Sequence, residues 1–207
     1  MSDQLVVFGA GGHAKVVVEA VLAQSRGREI ILLDDCNESQ KRSIFGIPVS
    51  GTRRELKTLI GTPIALAIGN NKPRAQLIEW LRNHGHIIET VVHPSAVVAP
   101  SVTVGAGTFV SAGAVVVAEA RVGAAAIINT AASVDHDCVI GEAAHVAPGA
   151  HLCGNVQIGA RVLVGVGCSI RPGVSVCDDV VLGAGAVVIR DIDSPGTYVG
   201  NPARFLK

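Results

Sequence analysis

From Val98 to Val188 every sixth residue is Val, Ile or Leu, sixteen positions without an exception. Four residues after each anchor stands a small or β-branched residue, Thr108, Ala114, Cys138 and Val162 among them, and glycine often follows the anchor directly, as at Gly105 and Gly141. An α-helix would scatter a six-residue period around its whole circumference, so no helical reading fits. Short strands joined by tight turns do fit, with the anchor and the small residue both pointing inward. The pattern predicts a parallel β-helix of hexapeptide repeats over residues 93–192, uninterrupted by any looped-out insertion. It also accounts for a composition with 3% aromatic residues and 24 glycines, which would be odd for a core built on large side chains.

Residues 1–92 follow a different rule. The segments "QLVVFG", "EIILLD", "PIALAIG" and "HIIETVV" read as four buried strands, and "GHAKVVVEAVLAQS", "TRRELKTLI" and "KPRAQLIEWLRNHG" have helical spacing between them. This alternation predicts a small parallel α/β sheet, in effect half of a dinucleotide-binding fold. The first strand runs into "FGAGGHA", which places Gly9, Gly11, Gly12 and His13 at the start of the first helix. Glycine lets a phosphate approach the backbone, and the helix N-terminus supplies amides and a favourable dipole. Asp34 and Asp35 close the second strand, where a carboxylate can hold a ribose hydroxyl. Gly69, Asn70, Asn71 and Arg74 follow the third strand and belong to the same ligand-collecting edge. A nicotinamide dehydrogenase needs two such halves and only one fits before the hexads begin, so a nucleotide or nucleotide-sugar substrate is expected. Residues 193–207, with Pro and Gly breaks, are expected to cap the lower edge of the β-helix.

Charge and composition exclude several functions. Seventeen basic and seventeen acidic residues leave no net charge, so there is no electrostatic footprint for nucleic acid or an anionic membrane. The N-terminal stretch has no basic n-region, and no run of eighteen apolar residues occurs. Five cysteines without a C-x-x-C pair suit a reducing compartment, and a cytoplasmic protein is expected.

One polar cluster interrupts the hexads: Asp135-His136-Asp137. A carboxylate beside an imidazole fixes its tautomer and stabilises the imidazolium formed when it takes a proton. Adjacent strand residues point to opposite sides, but at a turn corner either aspartate could reach the ring, so spacing leaves the partner open.

The stretches "VVFGAGGHAKVV", "IINTAASVDHDCVIGE" and "YVGNPAR" resemble motifs of the bacterial nucleotide-sugar N-acetyltransferases, kin of sialic acid O-acetyltransferases, and the resemblance spans the chain. It implies a left-handed β-helix with three hexads per eighteen-residue turn, hence a little over five turns, and a homotrimer with active sites between subunits. On that turn length Phe109, Ile127, His145, Leu163 and Val181 form an outward stripe expected to pack against another subunit. Ala118, His136, Gly154, Pro172 and Arg190 form a second column. His136 and His145 then face different directions within one chain and could meet across a subunit boundary. By the resemblance His136 is the general base, Asp137 its partner, and His145 a residue beside the acetyl group of the cosubstrate acetyl-CoA, with Asn129 inside the matched motif. Gly154 is a candidate oxyanion donor, and Arg171, Arg190, Arg204 and Lys207 are candidates for the coenzyme phosphates. A zinc site of the kind found in other trimeric β-helix enzymes is not expected, because the spacings of His136, His145 and His151 do not match its ligand set; His151 reads as a surface residue. No cysteine stands where a covalent acyl intermediate would need one, so direct transfer is expected. The alternatives are sugar O-acetylation, as on sialic acid, and a non-catalytic nucleotide-sugar-binding scaffold.

Overall fold

The computed structural model describes residues 4–25 and 27–206. Three parallel strands, β1 (Gln4–Phe8), β2 (Glu29–Leu33) and β3 (Ile64–Leu66), form the N-terminal sheet in the order β2-β1-β3. β1 is central and its Leu5, Val6 and Val7 are fully buried, as a strand covered on both faces requires. Helix α1 (Gly12–Gln24) follows β1 and buries Val17, Val18 and Val21 on one side of the sheet. Helix α2 (Asn71–Asn83) follows β3 and buries Leu77, Ile78 and Leu81 on the other.

Two sequence expectations in this region change. "HIIETVV" is not a fourth strand of the sheet: Ile88 makes a single bridge to Ile64, and Val91–Val92 already pairs with Phe109–Val110 in the β-helix. The segment lies between two sheets, each with an open parallel edge, and contributes to both. "TRRELKTLI" forms a five-residue 3₁₀ turn, Arg53–Lys57, held by a Thr52/Glu55 capping box. Leu56 is its one buried residue, too little apolar surface to sustain a longer helix.

Residues 91–206 wind into a three-sided prism of two-residue strands stacked in parallel. Each strand pairs with the one eighteen residues further on, as Val116 does with Val134. The anchors and the small residues point inward and fill the prism with Val, Ile, Leu, Ala and Cys. Turn corners repeat one conformation, with a left-handed residue three positions after each anchor from Val104 to Leu182; Glu119, Ala131, Asp137, Ala143 and Asn155 adopt it at φ between 53 and 60°. Glycines after the anchor serve close stacking: a Cβ on Gly141 would lie 2.4 Å from the Gly159 carbonyl carbon on the next rung. At the lower end Gly196–Val199 joins one face in parallel, Arg204–Phe205 turns back along it, and Tyr198 and Ala203 pack against the end of the core.

The N-terminal domain sits on one face and one corner of its own prism. Phe109 and Ile127, expected to meet another subunit, are 2% and 1% exposed beneath the chain's own α1 layer. The upper part of the apolar stripe is therefore an intrachain seam, and only its lower end, with Val181 37% exposed, remains open. At the corner, α2 rests on Ala125 and Ala143, two left-handed turn residues with no exposed surface. Ala143→Leu should therefore destabilise by about 1–3 kcal/mol through overpacking. Ala131→Leu, on the same left-handed backbone but exposed, should stay within about 0.5 kcal/mol. Thermal melting of the two variants checks this, and equal midpoints would remove α2 from the corner.

Candidate active site

The Asp135-His136-Asp137 corner resolves the choice the sequence left open. Asp137 takes the left-handed conformation (φ 60°), which turns its carboxylate back so that Oδ2 lies 2.8 Å from His136 Nδ1. Asp135 instead accepts the His136 backbone N–H through Oδ1 at 2.8 Å. The hydrogen bond to Asp137 raises the His136 pKa above the ordinary value, opposed by desolvation and assisted by the charges of Asp135 and Asp137. With Nδ1 on the carboxylate, Nε2 is the nitrogen available to a reactant, and the ring is exposed.

Gly154, one rung further, forms the seat of this ring. A Cβ there would stand 2.4 Å from both Cε1 and Nε2 of His136. The same register carries the column down through Pro172 to Arg190. Three rungs separate His136 from Arg190, about 14 Å at the usual strand spacing. Arg171 and Arg190 are exposed on this face. Arg204 is not with them; it lies on the last strand of a different face and donates to the Ala203 carbonyl. Lys207 lies outside the described residues. His151 is exposed and hydrogen-bonded to Ser133, 2.8 Å from its hydroxyl.

The glycine loop forms a second element of the site. Gly9 turns at φ +118°, and a Cβ there would meet the Ala67 carbonyl oxygen at 2.7 Å, so β1 and β3 approach each other closely at their carboxyl ends. Gly11 and Gly12 face open space, and α1 begins without a side-chain cap or an acidic residue in its first turn. Free amides at an uncapped helix start suit an anion. Asp34 buttresses the loop, accepting from Ala10 N at 2.6 Å and from Cys36 N at 2.7 Å. Asp35 is paired with Arg53, through both the backbone and the guanidinium, and stands apart from the loop. Gly9, Gly11, Gly12, His13, Asp34 and Gly69 line one cavity of about 370 Å³.

Gly69 also lines a neighbouring cavity of about 430 Å³, with Asn70, His145, Leu163 and Val181. His145 lies here, at the seam within the chain, on a different face from His136. Asn129 Nδ2 is 2.9 Å from His145 Nε2, and its own Oδ1 accepts the Thr130 N–H at 2.8 Å. Burial, then the charge of Arg74, then His13, push the His145 pKa down to about 3. His13 packs edge-on against Phe109, with 5.3 Å between ring centroids, and burial followed by Arg74 lowers its pKa to about 4. The two ring environments are thus opposite: His136 is biased toward the cation and His145 against it. Among the described residues no three His, Cys, Asp or Glu side chains converge as metal ligands do.

Arg74 is the residue whose role the sequence reading missed. Its position after the third strand puts it at the ligand edge, yet it is 1% exposed and bonded into the seam. The signal was present in the period: Arg74 shares the buried stripe of α2 with Leu77, Ile78 and Leu81, where a charged residue must find many partners.

A glycine-loop α/β domain seated on a hexapeptide prism that carries an exposed His–Asp pair defines an acyltransferase of the hexapeptide-repeat class. Residues 4–81 match the PglD N-terminal domain, and residues 155–190 match the bacterial transferase hexapeptide of six repeats. Over 98 residues the chain is 39% identical to UDP-N-acetylbacillosamine N-acetyltransferase of Bacillus subtilis (strain 168), a match that spans 45% of this chain and 44% of that protein. The acetyltransferase domain of PglB from Neisseria gonorrhoeae FA1090, solved with acetyl coenzyme A, is 41% identical over 100% of both chains, with a TM-score of 0.94. PerB from Caulobacter crescentus, solved with CoA and GDP-perosamine, is 39% identical over 98% of this chain and 97% of that one, with a TM-score of 0.90. The chain belongs to this family of bacterial hexapeptide-repeat N-acetyltransferases.

Two substitutions test the geometry of the pair without any assay of turnover. Asp137→Asn removes the main cause of the raised His136 pKa, and Gly154→Ala pushes the ring off its seat. In both, an NMR titration should give His136 a lower pKa than in the unmodified protein. An unchanged value in Asp137→Asn would mean that the carboxylate does not hold the ring in solution.

Proposed function

We propose that this chain is an acetyl-CoA-dependent N-acetyltransferase acting on the amino group of a nucleotide-diphosphate-linked amino sugar. The observation that carries the reading is that the glycine-loop cavity and the His145 cavity share Gly69 as a lining residue. A diphosphate at the glycine loop and the start of α1 would leave an attached sugar directed toward His145. The solved relatives support the same ligands: one was crystallised with acetyl coenzyme A and another with CoA and GDP-perosamine. Gly9, Gly11, Gly12, His13, Asp34, Gly69 and Asn70 are the proposed substrate contacts, with Asn129 and His145 beside the transferred group. Asp35 is the weakest of the expected contacts, since its carboxylate is engaged by Arg53.

In the proposed reaction the sugar amine attacks the thioester carbonyl carbon, and His136 Nε2 accepts the proton that the nitrogen loses. Asp137 stabilises the imidazolium formed at that moment. The oxyanion would accept from the Gly154 N–H, which has no partner of its own among the described residues. Breaking the carbon–sulfur bond then releases CoA as a thiolate, which recovers the proton from His136. Arg171 and Arg190, on the face of His136, suit the phosphates of an extended coenzyme; Arg204, on another face, would have to serve from a neighbouring subunit. Direct transfer agrees with the cysteines: Cys138 and Cys168 are buried in the prism, and burial raises the pKa of both thiols.

His136 and His145 lie on different faces of one chain, so a site that uses both requires a second copy. We therefore assign the active form as a homotrimer, in which the His136 column of one protomer faces the seam of the next. Sedimentation should give three times the protomer mass, and a monomer with full activity would refute the shared site. Among the described residues no helix is long and apolar enough to cross a membrane, and a CoA-dependent reaction suits the cytoplasm.

The decisive assay is thiol release from acetyl-CoA against a panel of nucleotide-linked amino sugars, with free sialic acid as the oxygen-nucleophile comparison. His136→Ala should lower turnover by about 10²–10⁴-fold and leave CoA binding nearly intact. Turnover unchanged by that substitution would sink the base assignment. Absence of thiol release with every sugar would favour a binding scaffold.

A further inference from the structure

Arg74 is a buried cation with no carboxylate among its partners. Its Nε donates to the Ala125 carbonyl at 2.7 Å. Nη1 donates to the carbonyls of Ile68 at 3.0 Å and Gly69 at 2.8 Å. Nη2 donates to Asn71 Oδ1 at 2.8 Å and to the carbonyls of Ala143 and Ala144 at 2.8 and 3.3 Å. All acceptors are neutral dipoles, and together they satisfy the five N–H groups of the fork. They also fall into two sets. Ile68 and Gly69 belong to the loop between β3 and α2 and Asn71 is the first residue of α2, all three lining the cavities, whereas Ala125, Ala143 and Ala144 belong to two turns of the prism.

Gly69 and His145 line the same cavity, and the Gly69 carbonyl acts on the ring against burial, raising its pKa. The direction of each bond follows from one fixed point. The Thr130 N–H can only donate, so it assigns Asn129 Oδ1 as acceptor and turns the Asn129 amide nitrogen toward His145 Nε2. His145 Nε2 must then accept, which leaves the proton of the neutral ring on Nδ1. One set of hydrogen bonds therefore runs from the prism turns through Arg74 to the Gly69 carbonyl and another from Thr130 through Asn129 to His145, and the two meet at the cavity that Gly69 and His145 both line.

We infer that Arg74 is a positioning residue for acetyl transfer: by gripping the Gly69 carbonyl against two turns of the prism, it sets where the sugar-bearing loop meets His145, and as a fixed positive charge behind that loop it favours the uncharged form of the ring, which Asn129 leaves protonated on Nδ1. This rests on the function proposed above. Arg74 touches neither cavity's contents, and its effect passes through Gly69 and His145. The other charged or titratable groups facing His145 are His13 from α1, Lys72 from α2, and Arg161 and Asp179 from the prism, the last two paired with each other at 2.7 Å. Of the charges, Arg74 contributes most to the lowered pKa of His145, after burial itself.

Arg74→Lys and Arg74→Met, made in the full chain, separate the two parts of the inference. Lysine keeps the cation but loses the planar fork; methionine loses both. In folded Arg74→Lys, kcat with GDP-perosamine should fall by about 100-fold, the scale of a misplaced reactant, while KM for acetyl-CoA stays within about twofold of the unmodified value. A folded variant whose kcat matches the unmodified enzyme, with only its melting temperature lowered, would overturn the inference. Nitrogen-15 NMR of the histidine rings gives the second readout. In the unmodified protein His145 should show the uncharged Nδ1-protonated form across the ordinary imidazole range, and in Arg74→Met its pKa should rise. An Nε2-protonated ring, or a His145 pKa unmoved in folded Arg74→Met, overturns the coupling. If the unmodified protein acetylates no nucleotide amino sugar, the functional reading fails by itself, and the NMR readout still decides the link between Arg74 and His145. If neither variant folds, the tautomer measured in the unmodified protein decides it.

Discussion

A guanidinium surrounded by backbone carbonyls joins the two halves of this protein, and most of the site depends on that junction. The prism offers these carbonyls because its corners turn through left-handed residues. Ala125 and Ala143 place their carbonyl oxygens outside the strand ladder, where no backbone N–H of the described residues reaches them. Left in an apolar seam, each would carry the cost of an unsatisfied polar group. Arg74 supplies donors to both, and Asn71, one turn earlier on α2, donates to the Arg161 and Val162 carbonyls on the next rung. The cation and the dipoles thus solve each other's desolvation problem. Burial lowers the Arg74 pKa only to about 10, so the side chain remains charged at neutral pH.

That retained charge divides the histidines. His136, exposed beside Asp137, is driven toward protonation, in keeping with the proposed role of general base. His145 and His13, buried near a permanent cation, are driven away from it. Two imidazoles with opposed environments can carry different duties in one reaction, one moving a proton and one holding a shape. The same docking that buries His145 covers the upper part of the apolar stripe with the chain's own helix. The faces that carry His136 and the lower end of the stripe are left uncovered.

Much of the prism could be read directly, because a six-residue period admits so few folds. Every anchor from Val110 to Val188 lies in the buried interior, and the strands fall where the rhythm puts them. The glycine loop, β1 and both α-helices were equally legible, since each is specified by local pattern. Readings that failed involved competition between surfaces. "HIIETVV" has the composition of a strand, but two open sheet edges share it. The Phe109–Val181 stripe has the look of a subunit interface, but apolar surface does not specify what covers it. Arg74 was legible as a charge on an apolar helical stripe, whereas its partners, carbonyls fifty and seventy residues away, leave no mark in sequence because every residue has one.

The sequence by itself determined the prism, the nucleotide-type sheet and the identity of the histidines, since these depend on periodicity and on glycine at a few positions. Only the tertiary structure decided which aspartate holds His136 and where His145 lies. It also decided that the two halves are locked through Arg74. Those outcomes depend on the left-handed twist of a corner residue and on the docking of α2 across it, and both are set by packing between segments remote in the chain.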